Sequence, residues 1–213
     1  MITSGLLMGF HPLNIFGRNE DIVMKLLLIS PSHKFGRKRL KAIKIPQLSL
    51  HILASLTPND VDITVVDEEI REIDFSLDFD LVGISCMTAT ANRSYQLSDM
   101  FRKKGSKVVL GGIHPTILPK EAIQYADAVV IGEAEGCWAD VIEDSRKGKL
   151  QKFYHFPTPD LSRYPSPKRD FHIDKALFNC VGLMTTRGCP YACEFCSVTD
   201  FYGRKIRHRP VSM

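Results

Sequence analysis

The chain has 213 residues, of which 44% are apolar and 24% charged, with a net charge of +4. This composition excludes a disordered or fibrous chain, and the charge is too small to argue for a nucleic-acid partner. No stretch approaches the ~20 continuous apolar residues of a membrane span.

Residues 1–23 read as an N-terminal extension. They are moderately apolar (Leu6, Leu7, Met8, Phe10) but open without Lys or Arg and show no small-residue cleavage site, so they make a poor signal peptide. Met24 stands directly before the first convincing strand and is an alternative start. From there, short apolar runs alternate with amphipathic stretches. Strands are expected at 25–30, 62–67, 81–85, 107–111 and 128–132, and helices at 47–56, 68–73, 91–104 and 135–146. Pro46 suits the first turn of the helix it precedes. Continuously apolar strands separated by helices imply a parallel sheet covered on both faces. The expected architecture is α/β, a flavodoxin-like doubly wound sheet over 24–147. Ligands of such sheets sit outside the carboxyl ends of the strands, here the loops beginning at Ser30, Ser85, Gly111 and Gly132. No Gly-x-Gly-x-x-Gly follows the first strand, which disfavours a dinucleotide domain. Residues 148–176, with Pro157, Pro159, Pro165 and Pro167, read as a stiff connector. A new apolar strand at 180–185 then opens the last segment, 177–213.

That strand runs into the most informative feature of the chain, a loop carrying Cys189, Cys193 and Cys196 at spacings of three and then two intervening residues. Cys86, Cys137 and Cys180 are isolated in apolar settings, unlike a secreted disulfide framework. A reducing cytoplasmic location is therefore expected, where clustered cysteines bind metal or catalyse. Four thiolates usually hold an iron–sulfur cluster. Three local ones suggest a cluster with one iron left open. The alternative is structural zinc, with His208 or Cys180 as the fourth ligand.

The Cys189-x-x-x-Cys193-x-x-Cys196 motif, with Gly188 and Pro190 around its first cysteine and Phe195 before its last, resembles the defining motif of the radical S-adenosylmethionine (radical SAM) superfamily. The resemblance implies a 4Fe–4S cluster on Cys189, Cys193 and Cys196 and S-adenosylmethionine on the open iron. Reduction by a ferredoxin or flavodoxin would yield a 5′-deoxyadenosyl radical. Phe195 would lie near the adenine, its other reading being ordinary packing. On this reading 177–213 is the first strand and cluster loop of an incomplete (β/α) barrel.

The upstream domain resembles the cobalamin-binding domain that precedes the barrel in one class of these enzymes. The resemblance is carried by 45–50, Gly83-Ile84-Ser85, 111–116 and Gly132-Glu133-Ala134-Glu135. It implies cobalamin contacts at Ser85, Gly111, Gly112, His114, Gly132 and Glu133. Consistent with that resemblance, Gly111 and Gly112 end a strand where a flat macrocycle would need close backbone approach, and a turn requirement explains each glycine equally well. The cobalt-ligating pattern Asp-x-His-x-x-Gly is only partly met in the first loop. His33 and Gly36 are kept but Pro31 replaces the Asp, so His33 reads as a solvated loop histidine. The basic run from Lys34 to Lys44 reads as a solvated loop or as an attractor for the phosphate of the nucleotide tail.

The activity implied is methylation of an unactivated carbon in a small-molecule substrate by a cobalamin-dependent radical SAM enzyme. The fragment that this chain represents is expected to be inactive alone. The rivals are a cobalamin-dependent radical cyclase or rearrangement enzyme, and a non-catalytic cobalamin- or cluster-binding fragment. Radical methylthiotransferases are disfavoured, because their upstream domain supplies three more cluster cysteines and only Cys86 and Cys137 are available here.

Overall fold

A computed structural model describes residues 23–32, 46–169 and 182–210. The extension 1–22, the loop containing His33, Gly36 and the basic run, and Cys180 lie outside the described residues.

Six parallel strands form one sheet in the order β2-β1-β3-β4-β5-β6: β1 Met24–Ser30, β2 Val61–Asp67, β3 Leu81–Ser85, β4 Lys107–Gly111, β5 Ala128–Ile131 and β6 Phe153–His155. The first five follow the flavodoxin-like order. β1 shows why these runs are continuously apolar. Successive side chains point to opposite faces, and both faces are covered. Leu26 and Leu28 enter one core, with Leu50, Ala54, Trp138 and Val141, under α1 (Leu48–Leu56) and α5 (Trp138–Arg146). Leu27 and Ile29 enter the other, with Leu97 and Phe101 of α2 (Ala91–Lys103). All four β1 side chains are essentially inaccessible, and each such burial contributes roughly 1.5–3 kcal/mol.

Two differences from the expected elements have local causes. Residues 68–73 form turns and not a helix. The Asp67 carboxylate accepts the Glu69 amide (3.0 Å), and the Asp67 carbonyl accepts from both Ile70 and Arg71, a turn that local Asp hydrogen bonding favours over helix. The Glu68 side chain turns inward to a buried ion pair with Arg93 (2.6 Å) instead of lying on a solvated helix. The second difference is β6, which adds a sixth strand within the stretch read as a connector and pairs with β5 from Val129↔Phe153 to Ile131↔His155.

Between β4 and β5 the chain forms two short helices, α3 (Ile113–Ile117) and α4 (Pro119–Ala122). Beyond the proline-rich stretch, residues 182–185 carry no strand, although one was expected over 180–185. These residues have no parallel neighbour among the described residues. Pairing begins one residue later, where β7 (Thr186–Arg187) meets β8 (Arg207–His208) antiparallel, with α6 (Val198–Tyr202) between them. No helix among the described residues is long and apolar enough to cross a membrane.

Candidate functional site

The carboxyl ends of β3, β4 and β5 open into a crevice at the place where doubly wound sheets bind their ligands. Its floor holds Gly83, Ser85, Gly111, Gly112 and Gly132; one wall is Leu48, Ser49 and Ile52 of α1, and Trp138 closes the end. Three of the four loops expected to matter therefore meet here. Gly83 is closely packed: a Cβ would lie 3.0 Å from the Leu28 side chain and 3.2 Å from the Trp138 ring, so a larger residue would require those side chains to give way. Gly112 has φ 105° and ψ −171°, a conformation essentially reserved for glycine, and a Cβ there would stand 2.6 Å from the Cys86 carbonyl oxygen. Gly132 also has a positive φ, 83°, and a Cβ on it would meet no atom within 4 Å. The Ser85 hydroxyl lies 3.4 Å from that of Ser49, both facing the same space.

Thr116 ties these glycine loops together. Its hydroxyl donates to the Gly112 carbonyl (2.7 Å) and accepts from the Gly132 amide (2.9 Å). Thr116→Val keeps the shape but leaves that amide unsatisfied. The expected loss is about 1–3 kcal/mol of unfolding free energy, measured by urea titration.

His114 does not join this group. Its imidazole is buried away from the crevice, with Nε2 3.0 Å from the Tyr95 hydroxyl and 3.4 Å from Glu121, and Nδ1 3.4 Å from Thr88. Burial, together with the Glu121 carboxylate that accepts from it, raises the Tyr95 hydroxyl pKa. That network anchors α3 behind Gly112.

The two sheet cysteines are inert. Burial pushes the thiols of Cys86 and Cys137 up to about 11, and they belong to cores on opposite faces of the sheet. A raised pKa makes the thiolate scarcer below it, about one part in a thousand near pH 8. Iodoacetamide at that pH is therefore expected to leave Cys86 and Cys137 unmodified in the folded chain and to label both in urea, as read by peptide mass mapping.

Cys189, Cys193 and Cys196 are free thiols on one loop, Cys193 exposed and the other two partly so. The loop is held at its base by the Cys189 amide on the Gly203 carbonyl (3.1 Å), and it turns through the Cys196 amide on the Cys193 carbonyl (3.1 Å). Phe195 is 93% exposed. Among the described residues no group of three His, Cys, Asp or Glu side chains is gathered as a metal site, so the three thiols share a loop without converging, and His208 does not join them. As a donor set, three soft thiolates suit an iron–sulfur cluster. The glycine floor and apolar walls of the crevice suit the broad face of a corrin.

The crevice has a roof that sequence reasoning missed. Met184, Arg187, Phe201 and Tyr202, flanking the cysteine loop, line it from above. Arg187 pairs with Glu133 and Glu135, and Arg207 pairs with Glu133. These four side chains are only 4–13% exposed. Burial opposes the charge on Arg187, but the Glu135 and Glu133 carboxylates outweigh it and raise the guanidinium pKa. Glu133, expected as a cofactor contact, thus lines the crevice but gives both carboxylate oxygens to arginines. One signal was available: Arg187 ends an apolar run, where a buried charge requires a partner.

Comparison with known proteins is consistent with this geometry. Residues 45–142 match the family model described as B12 binding domain, and the six-stranded parallel sheet fits that fold. The chain is 36% identical over 170 residues to the bacteriochlorophyllide d C-8(2)-methyltransferase of Chlorobaculum tepidum, covering 75% of this chain and 37% of that protein. It is 29% identical over 180 residues to the C-12(1)-methyltransferase of the same organism, covering 81% and 39%. Over 171 residues it is 25% identical to the hopanoid C-2 methylase of Rhodopseudomonas palustris, covering 76% and 32%. The chain therefore spans well under half the length of these relatives.

Proposed function

We propose that this chain is part of a cobalamin-dependent radical SAM enzyme that methylates an unactivated carbon of a small-molecule substrate. The observation that carries the reading is the juxtaposition of a glycine-floored crevice at the strand ends with a roof supplied by the segment that bears the three cysteines. All three relatives are named for methylation at a numbered carbon position, which favours methyl transfer over cyclisation or rearrangement.

In this reading Gly111, Gly112 and Gly132 admit the corrin face, Ser85 and Ser49 offer hydroxyls at its edge, and Trp138 shields it from water. Cys189, Cys193 and Cys196 hold the 4Fe–4S cluster, and Phe195 packs on the adenine of S-adenosylmethionine. When bound, cobalamin supplies the methyl group, and the cluster, reduced by a ferredoxin or flavodoxin, supplies the electron that S-adenosylmethionine cleavage needs. A cytoplasmic location suits thiols kept reduced for cluster assembly.

Anaerobic reconstitution of the chain tests this. The expected result is bound cobalamin together with about four iron and four sulfide per chain. Tightly bound zinc with no iron would sink the cluster assignment, and no retained cobalamin would sink the other half.

A further inference from the structure

The four buried charges above the crevice have an arrangement that simple adhesion between the sheet and the last segment does not require. Two carboxylates and two guanidiniums cancel, so the group carries no net charge into the interior. Apolar side chains would hold two surfaces together equally well, since buried ion pairs often add little net stability. What a planar guanidinium adds is a fixed direction and register.

The ladder between β7 and β8 shows why that register depends on one residue. Arg187 and Arg207 are directly opposed cross-strand partners, a like-charge pairing that by itself repels. Glu133, reaching from the end of β5, accepts from Arg207 on both carboxylate oxygens and from Arg187 on Oε2, and turns the repulsion into a bridge. Glu135 holds the outer nitrogen of Arg187, and the Arg187 guanidinium lies 5.6 Å from the centre of the Tyr202 ring. Arg207 also donates to the Pro159 carbonyl (2.9 Å) and the Tyr202 carbonyl (3.2 Å). Directly after Arg187, Gly188 has φ 93°, and a Cβ on it would stand 2.2 Å from the Lys205 carbonyl oxygen, so only glycine allows the close backbone approach at the entrance to the cysteine loop.

We propose that Glu133 is a positioning residue: by bridging Arg187 and Arg207 it locks the cysteine-bearing segment down as the roof of the crevice, placing Phe201 and Tyr202 against the occupant. The occupant is cobalamin, and to that extent the proposal rests on the function proposed above. Two readouts on the full chain separate the two ideas. Glu133→Gln keeps the volume and removes the charge. It is expected to speed amide hydrogen exchange at Arg187 and Arg207 by roughly tenfold or more while leaving β1 and β3 unchanged, because a buried charged pair has lost its partner. It is also expected to weaken hydroxocobalamin binding, read by absorbance titration, by roughly tenfold. Adding Arg207→Met removes the uncompensated cation and should restore much of the exchange protection, a coupling that a general loss of packing would not show.

Unchanged exchange in Glu133→Gln overturns the lock. Faster exchange with hydroxocobalamin affinity held within about twofold overturns the roof. If the unaltered chain binds no hydroxocobalamin, the cobalamin reading falls, and exchange alone decides the lock. Should Glu133→Gln not fold, Tyr202→Ala probes the roof without removing a charged side chain, although it takes away the ring beside the Arg187 guanidinium. It should lose roughly tenfold in hydroxocobalamin affinity with the melting of the sheet unchanged, and retained affinity would overturn the proposal.

Discussion

Replacing Cys193 by serine is expected to abolish iron loading and S-adenosylmethionine cleavage while leaving hydroxocobalamin binding and folding intact. The separation follows from where the thiol sits. Cys193 is exposed on a loop outside both cores, and substitutions at such positions usually change stability by less than about 0.5 kcal/mol. Its chemistry is not replaceable, since a serine hydroxyl is a hard and weakly acidic donor where a soft thiolate is required. Cys86→Ser supplies the opposite control. Cys86 is fully buried beneath Gly112, so serine there should cost stability and leave the iron content unchanged. The measurement is iron and sulfide per chain after anaerobic reconstitution, with 5′-deoxyadenosine formation as a second readout. Iron falling from about four to below one in Cys193→Ser is the expected result. Undiminished iron in that variant, or an equal loss in Cys86→Ser, would remove the loop from its role.

The contrast between these cysteines also shows which signals were legible before the fold. Buried parallel strands announce themselves because both faces are covered, so 25–30 or 81–85 reads as an unbroken apolar run. β6 gives no such run. It is three residues at the sheet edge, only its middle residue is buried, and prolines follow. The acidic stretch at 68–73 misleads for a different reason: Asp67 captures its backbone in a turn that apolar periodicity does not register, and Arg93, 25 residues on, captures its first side chain. At the site, the glycines of the floor were readable because a strand end that must be glycine is a local property. The roof was not. Glu133 and Arg187 are 54 residues apart, and their pairing depends on how the last segment folds back over the strand ends. His114 errs in the other direction: it lies inside a conspicuous motif, yet Tyr95 and Glu121 draw its ring away from the crevice that the motif builds.

Gly112→Ala is expected to be strongly destabilising. At φ 105° and ψ −171° a residue with a Cβ costs about 1–3 kcal/mol in backbone strain alone. The added carbon would also stand 2.6 Å from the Cys86 carbonyl oxygen, and backbone cannot swing aside as a side chain can. Relief requires moving Cys86 or the start of α3, and these are joined by the His114 amide on that same carbonyl (3.3 Å). Strain and displacement together predict a loss of about 2–4 kcal/mol, or roughly 5–15 °C in melting temperature for a chain of this size. Hydroxocobalamin binding should fall with it, because the floor moves. Gly132→Ala separates the two effects. Its positive φ costs about 1–2 kcal/mol, but its Cβ meets no atom of the protein and Gly132 lines the crevice. Its loss of affinity should therefore exceed what its smaller loss of stability explains. If instead Gly132→Ala melts lower but binds hydroxocobalamin as tightly as the unaltered chain, the glycine answers only to its turn, and the corrin face does not approach the end of β5.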